Sequence, residues 1–139
     1  MTVEKVALTR QSNGGENEYK KLKDKIAAGL KPSQKASLGC VLGAFIGDSL
    51  GSYLEFERGV MPPDAVEEGM EMPGRGTWKL APGQVTDDCE LAMCLLNALN
   101  EGNSKLDLKV TCKWYAKWMK SSPFDVGGTT KNGLQGCNE

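Results

Sequence analysis

Histidine is absent from this chain. Its absence removes Ser-His-Asp and Cys-His catalysis within the chain, and His-based zinc motifs with them. Acid–base chemistry here must come from carboxylates or from water on a metal. Paired cysteine spacing is missing too: the five cysteines, Cys40, Cys89, Cys94, Cys112 and Cys137, are odd in number and form no Cys-x-x-Cys. Neither a disulfide framework nor a zinc ribbon is expected, and reduced thiols in a cytoplasmic setting are the default. There is no charge excess of either sign. With 17 basic and 18 acidic residues the net charge is −1, which leaves no electrostatic case for nucleic acid or an anionic membrane. Residues 1–34 lack the apolar core of a secretory signal. The longest apolar run, Leu38 to Gly47, is too short to span a bilayer and meets Asp48. Alternating β-branched residues are scarce and no repeat is visible. The expectation is an all-α protein with one modest domain, since 139 residues are too few for two comfortable ones.

Residues 1–31 read as an N-terminal extension, part disordered and part short helix, with Leu22 and Ile26 at i,i+4 as its thin apolar seam. The domain is expected over 32–139, opening at Pro32-Ser33 with Ser33 as N-cap. Glycines at 39, 43, 47 and 51 then form a bare ridge, because a four-residue step advances about 40° past one helical turn. Each costs roughly 1 kcal/mol relative to Ala, and the compensating reason expected is close approach of another helix. Met61 to Gly83 is rich in Pro and Gly and reads as one long ordered loop. Leu91, Ala92, Leu95, Leu96 and Leu99 recur at helical spacing up to Gly102. Ser104-x-x-Asp107 resembles a capping box for the next helix, which presents Leu106, Val110, Trp114, Tyr115 and Trp118, with its aromatics expected in the core. A glycine loop, Phe124-Asp125-Val126-Gly127-Gly128-Thr129-Thr130, follows.

Most informative is Gly83-Gln84-Val85-Thr86-Asp87-Asp88-Cys89-Glu90-Leu91. It sets a hydroxyl and two adjacent carboxylates after a Pro-Gly turn and before a helical pattern. Crowded oxygen donors suit a hard cation such as Mg²⁺, which also relieves the repulsion between the carboxylates. The same residues suit a helix start, with Thr or Asp as cap and acids in the first turn. Both readings stand on the residues alone.

Four elements occur in order: Gly39-Cys40-Val41-Leu42-Gly43-Ala44-Phe45-Ile46-Gly47-Asp48-Ser49-Leu50-Gly51 with Glu55-Phe56; Pro82-Gly83-Gln84-Val85-Thr86-Asp87-Asp88; Tyr115-x-x-Trp118; and Phe124-Asp125-Val126-Gly127 with Thr129-Thr130. Over about Leu38 to Leu134 this series resembles the ADP-ribosylglycohydrolase family of metal-dependent ADP-ribosyl-acceptor hydrolases. The resemblance implies the N-terminal portion of an all-α fold with long ordered loops. It also implies two Mg²⁺ ions and hydrolysis of the glycosidic bond between ADP-ribose and an acceptor. The partner would be an ADP-ribosylated protein or a small molecule containing ADP-ribose.

By the same resemblance Thr86, Asp87 and Asp88 are metal ligands, with Asp87, Asp88 and Glu55 the catalytic carboxylates. Asp125, Gly127 and Gly128 bind the ribose and diphosphate, and Asp48 supports the metal cluster from behind. Plainer readings stay open: Glu55 as an exposed helix residue, Asp125 as a turn former before Gly127-Gly128. Carboxylates near a sugar carbon that develops oxocarbenium character, and glycine N–H groups near a diphosphate, agree with such chemistry.

Two features depart from the family pattern. Cys89 stands where a hydroxyl residue is usual, and a C-terminal Asp-x-Asp-Thr cluster that completes the metal centre is missing. Three alternatives remain. The chain is an incomplete N-terminal part of a hydrolase, an inactive homologue (a pseudoenzyme) serving as a subunit of a larger assembly, or a minimal hydrolase completed by acidic residues of another chain.

Overall fold

The computed structural model describes residues 20, 21, 23, 24, 26 and 28–138. Most of the expected N-terminal extension, including Leu22 of its apolar seam, lies outside these residues. The backbone divides into two units, Met1–Val41 and Leu42–Glu139. Helix α1 is Pro32–Gly51, α2 Pro63–Gly69, α3 Asp87–Glu101, α4 Leu108–Lys120 and α5 Gly128–Gly133, followed by a 3-10 turn over Gln135–Asn138. The described residues are all-helical, with no strand and only an isolated bridge between Arg75 and Leu80.

Ser33 lies inside α1 rather than capping it. The start is closed instead by Gln34, three residues on from Lys31, whose Oε1 accepts from the Lys31 N–H at 2.8 Å. Along Gly43, Gly47 and Gly51 nothing among the described residues comes within 4 Å of where a side chain would begin. The close helix approach expected at this ridge is therefore not made there, and Leu42 and Ile46 remain about half exposed.

The Pro- and Gly-rich stretch is not all loop. Pro63 at the first helical position starts α2, because its missing N–H is one the helix start leaves unpaired anyway. Beyond α2 the chain folds back tightly: the Arg75 N–H donates to the Leu80 carbonyl at 2.7 Å and the return bond is 2.9 Å. Gly76 makes this possible. Its φ is +62°, and a Cβ there would lie 2.9 Å from the Ser52 carbonyl oxygen.

The core of the second unit is the α3–α4 hairpin, with the 3-10 turn packed on α4. Cys89, Cys94 and Ala98 of α3 and Thr111, Ala116 and Trp118 of α4 are their buried residues. Burying Trp118 contributes roughly 2–3 kcal/mol, and its indole N–H is satisfied by Glu90 Oε2 at 2.6 Å. Trp114 is less buried and donates to Glu101 Oε2 at 3.0 Å. Leu106, expected on the face of this helix, instead precedes it and is 64% exposed. Ser104 is not the cap: its φ of +65° turns the chain, and Asp107 caps α4 by accepting from the Lys109 and Val110 N–H groups.

Candidate functional site

Four segments of the second unit carry the site: the end of α1 with Asp48, the turn after it with Glu55, the start of α3 with Thr86, Asp87 and Asp88, and the α4–α5 loop with Asp125 and Gly127. Thr86 sits at the N-cap position in extended backbone, yet its side chain makes no cap hydrogen bond. Its hydroxyl donates instead to Asp48 Oδ1 at 2.7 Å, and its N–H donates to Asp48 Oδ2 at 2.9 Å. One carboxylate thus holds both donors of a residue that is only 4% exposed. Capping accounts for the backbone of Thr86 and not for its side chain.

The neighbouring acids diverge. Asp87 Oδ2 accepts from the Gly127 N–H at 3.3 Å, tying the start of α3 to the glycine loop. Asp88 is exposed and lines an open cleft of ≈ 450 Å³ together with Asp48, Glu55, Thr86 and Cys89. Asp125 is 8% exposed, while Gly127 and Gly128 lie at the surface, Gly128 as the first residue of α5. The cleft therefore gathers Asp48, Glu55, Thr86 and Asp88, whereas Asp87, Asp125, Gly127 and Gly128 do not line it, and Asp87 ties the loop to the start of α3. Among the described residues no three His, Cys, Asp or Glu side chains stand close enough together to hold a metal ion.

Charge crowding marks the site. The Glu55 carboxyl is pushed above its ordinary value, first by burial and then by Asp125, Asp87, Asp48 and Asp88. Asp125 is pushed up likewise, by burial and then by Asp87, Asp48 and Asp88, with the Trp78 indole N–H opposing. That N–H is buried and makes no hydrogen bond among the described residues, so its pull on Asp125 is that of a nearby donor and not of a formed bond. The Cys89 thiol is 1% exposed and pushed up to about 12, by burial first and the adjacent Asp48 second. It stays neutral at pH 7 and is no nucleophile.

The oxygen donors suit a hard cation, and carboxylates that raise one another's pKa are what a cation would relieve. They form a partial set, lacking a third close ligand. Sequence reasoning missed Trp78. Its ring meets Phe56 and Phe124 edge-on at 6.0 and 5.9 Å and backs the site behind Asp125. The available signal was its position as the sole aromatic residue in the 61–83 stretch, where a large apolar ring needs a buried place.

The family model described as ADP-ribosylglycohydrolase matches residues 31–139. The ADP-ribosyl-(dinitrogen reductase) glycohydrolase of Rhodospirillum rubrum is 38% identical over 102 residues, covering 71% of this chain and 33% of that protein. The ADP-ribosylarginine hydrolase Tri1 of Serratia proteamaculans is 35% identical over 103 residues, covering 70% of this chain and 27% of its own. Tri1 of Pseudomonas putida is 34% identical over 106 residues, with 70% and 27% covered. The chain thus spans about a third or less of the relatives it matches. No described helix is long and apolar enough to cross a membrane. With a family model spanning its length from residue 31 and relatives matching most of it, this chain belongs to the ADP-ribosylglycohydrolase family.

Proposed function

We propose that residues 32–139 supply one side of a magnesium-dependent site that hydrolyses the glycosidic bond between ADP-ribose and an acceptor. The acceptor is carried on an ADP-ribosylated protein or a small molecule, in a cytoplasmic setting. The observation that carries this reading is the two-pronged hold of Asp48 on Thr86, which ties α1 to the start of α3 on the same cleft as Glu55 and Asp88. Thr86, Asp87 and Asp88 are the residues that would hold Mg²⁺, with further ligands from another chain or from residues beyond these. Bound magnesium supplies Lewis-acid polarisation of substrate oxygens.

The remaining work falls to the chain's own groups. Glu55, its basicity raised by burial and by four neighbouring acids, accepts the proton of the attacking water. Asp125 orients the ribose through a hydroxyl, and the ionised carboxylates stabilise positive charge on the sugar carbon. The Gly127 N–H turns from Asp87 to the diphosphate, exchanging a long 3.3 Å bond for a charged acceptor. Calorimetric titration of Mg²⁺ and ADP-ribose into the chain tests the reading. Binding heat is expected, with affinity for Mg²⁺ falling at least about tenfold in Asp87→Asn. Heat that survives the substitution removes Asp87 from the ligands.

A second reading rests on a different observation. Exposed apolar side chains, Leu42 and Ile46 of α1 and Met93 and Leu96 of α3, accompany an incomplete ligand set. They fit an inactive homologue docked as a subunit in a larger assembly. Absence of any heat with either ligand favours that reading.

A further inference from the structure

We propose that Cys112 and Cys137 form a reversible thiol–disulfide site whose oxidation clamps the glycine loop that approaches the cleft. The Cys137 thiol donates to Cys112 Sγ across 2.8 Å, from the 3-10 turn to α4. A disulfide requires sulfurs about 2.05 Å apart, so a sub-ångström approach joins them. Both are free and half-buried, and both line an open trough of ≈ 850 Å³, where a small oxidant reaches them. Lys109, Lys113, Lys117 and Lys120 border the same trough, so an anionic low-molecular-weight disulfide is favoured over a neutral one. Cys89 and Cys94, by contrast, are buried in the hairpin.

Cys137 is held up to about 11, chiefly by its hydrogen bond to Cys112 and then by burial, and because the two sulfurs share one contact, either opens the exchange. One cysteine loses its proton to solvent and attacks the small disulfide, forming a mixed disulfide and expelling one thiolate. The other cysteine then loses its proton and attacks the first cysteine's sulfur, expelling the second thiolate, and solvent protons convert both thiolates to thiols. The two cysteines are oxidised by two electrons and the small disulfide is reduced to two thiols.

The ring so closed runs from residue 112 to 137 and contains Asp125, Gly127 and Gly128. Gly127 is also tied to Asp87. Oxidation therefore narrows the motion of the segment that presents the loop. The regulatory consequence rests on the ADP-ribose reading above, whereas the chemistry of the sulfurs does not.

The test incubates the full chain with glutathione disulfide at graded thiol–disulfide ratios, followed by alkylation in denaturant and peptide mass mapping. Two of the five thiols are expected to escape alkylation, in one cross-linked peptide pair containing Cys112 and Cys137. Cys137→Ser should instead accumulate glutathione on Cys112, and Cys112→Ser on Cys137, with no cross-linked peptide pair in either variant. A persistent mixed disulfide in the unsubstituted chain, or cross-linking to Cys94, would overturn the proposal. Amide exchange at Gly127 and Gly128 should slow at least threefold on oxidation and not in Cys112→Ser; unchanged exchange would refute the clamp. Neither readout needs ADP-ribose, so failure here is distinct from failure of the hydrolase reading.

Discussion

Asp48→Ala removes the acceptor of both Thr86 donors, at 2.7 and 2.9 Å. Thr86 is 4% exposed, so water does not freely replace the lost partner. A hydrogen bond to a charged acceptor contributes about 1.5–3 kcal/mol. Two bonds sharing one carboxylate do not add fully, so the expected loss is roughly 2–4 kcal/mol. An opposing effect exists, because the Asp48 charge helps hold Glu55 and Asp125 above their ordinary values. That effect ranks behind burial and behind other carboxylates at both residues, and water screens Glu55, which is not fully buried. The hydrogen bonds win. For a chain of this size about 3 kcal/mol corresponds to a fall in melting temperature of roughly 10 °C. Urea unfolding followed by tryptophan fluorescence, with thermal melts by circular dichroism, reads the change. Asp48→Asn keeps one accepting oxygen but turns an amide toward the other donor, and should lose roughly half as much. A loss below about 0.5 kcal/mol in Asp48→Ala would refute the claim that Asp48 organises the start of α3.

Burial and neighbouring acids raise Asp125 in the folded state, so its contribution to stability is full below the unfolded pKa and is lost as pH rises through the folded one. Asp125→Asn should therefore flatten the decline in melting temperature as pH rises above the ordinary aspartate range; an unchanged profile would count against the charge crowding. Glu68 behaves oppositely. The Tyr53 hydroxyl foremost, and Arg75 after it, hold its carboxyl below the ordinary value, so its stabilisation is present above the unfolded pKa and disappears as pH falls through the folded one. In Glu68→Gln the raised Tyr53 phenol should fall back toward its ordinary value, read by NMR titration of the ring. Gly76→Ala forces a side chain into φ +62° with its Cβ against the Ser52 carbonyl, and should cost roughly 1–3 kcal/mol in urea unfolding.

The hairpin was largely legible in the sequence. Helical spacing from Asp88 to Gly102 anticipates α3, Asp87–Glu101, with Gly102 at its C-cap. Its burial is less regular than its pattern, since Leu96 is 37% exposed while Cys89 and Cys94 carry the core. A free Cys inside an amphipathic helix behaves as a small core hydrophobe, so burial of these two thiols was legible, whereas the partial exposure of Leu96 was not. The start of α4 was misread because Ser104 and Asp107 are both good caps, and only backbone geometry chooses between them. Helix α2 was hidden by prolines that mark loops in general but favour a first turn when they stand at its start. Among the site residues, Asp48 was legible as an acid interrupting an apolar ridge. Its link to the Thr86 segment came only through the family resemblance and not through local pattern, because Thr86 lies 38 positions away and both are also good local hydrogen-bonders.

The start of α3 divides its oxygens among three tasks, and this division bears on whether it is a cap or a ligand set. Asp87 is engaged with Gly127 through a long bond, and Asp88 faces the cleft unpaired among the described residues. Thr86 gives its proton to Asp48 while lining that same cleft. A hydroxyl whose proton is committed to a carboxylate is left with its lone pairs, and lone pairs are what a hard cation takes. A cap needs the opposite arrangement, with those lone pairs spent on backbone N–H groups of the first turn. By giving the Thr86 hydroxyl an acceptor on another helix, Asp48 leaves the lone pairs of a residue type that usually closes a helix uncommitted to the first turn of α3. The glycine loop and the acids are tied at the same corner, because the Gly127 N–H that Asp87 holds is the group a diphosphate would draw away. Filling the loop would then free an Asp87 oxygen beside the cleft, so occupancy of the loop and of the acidic corner should favour each other.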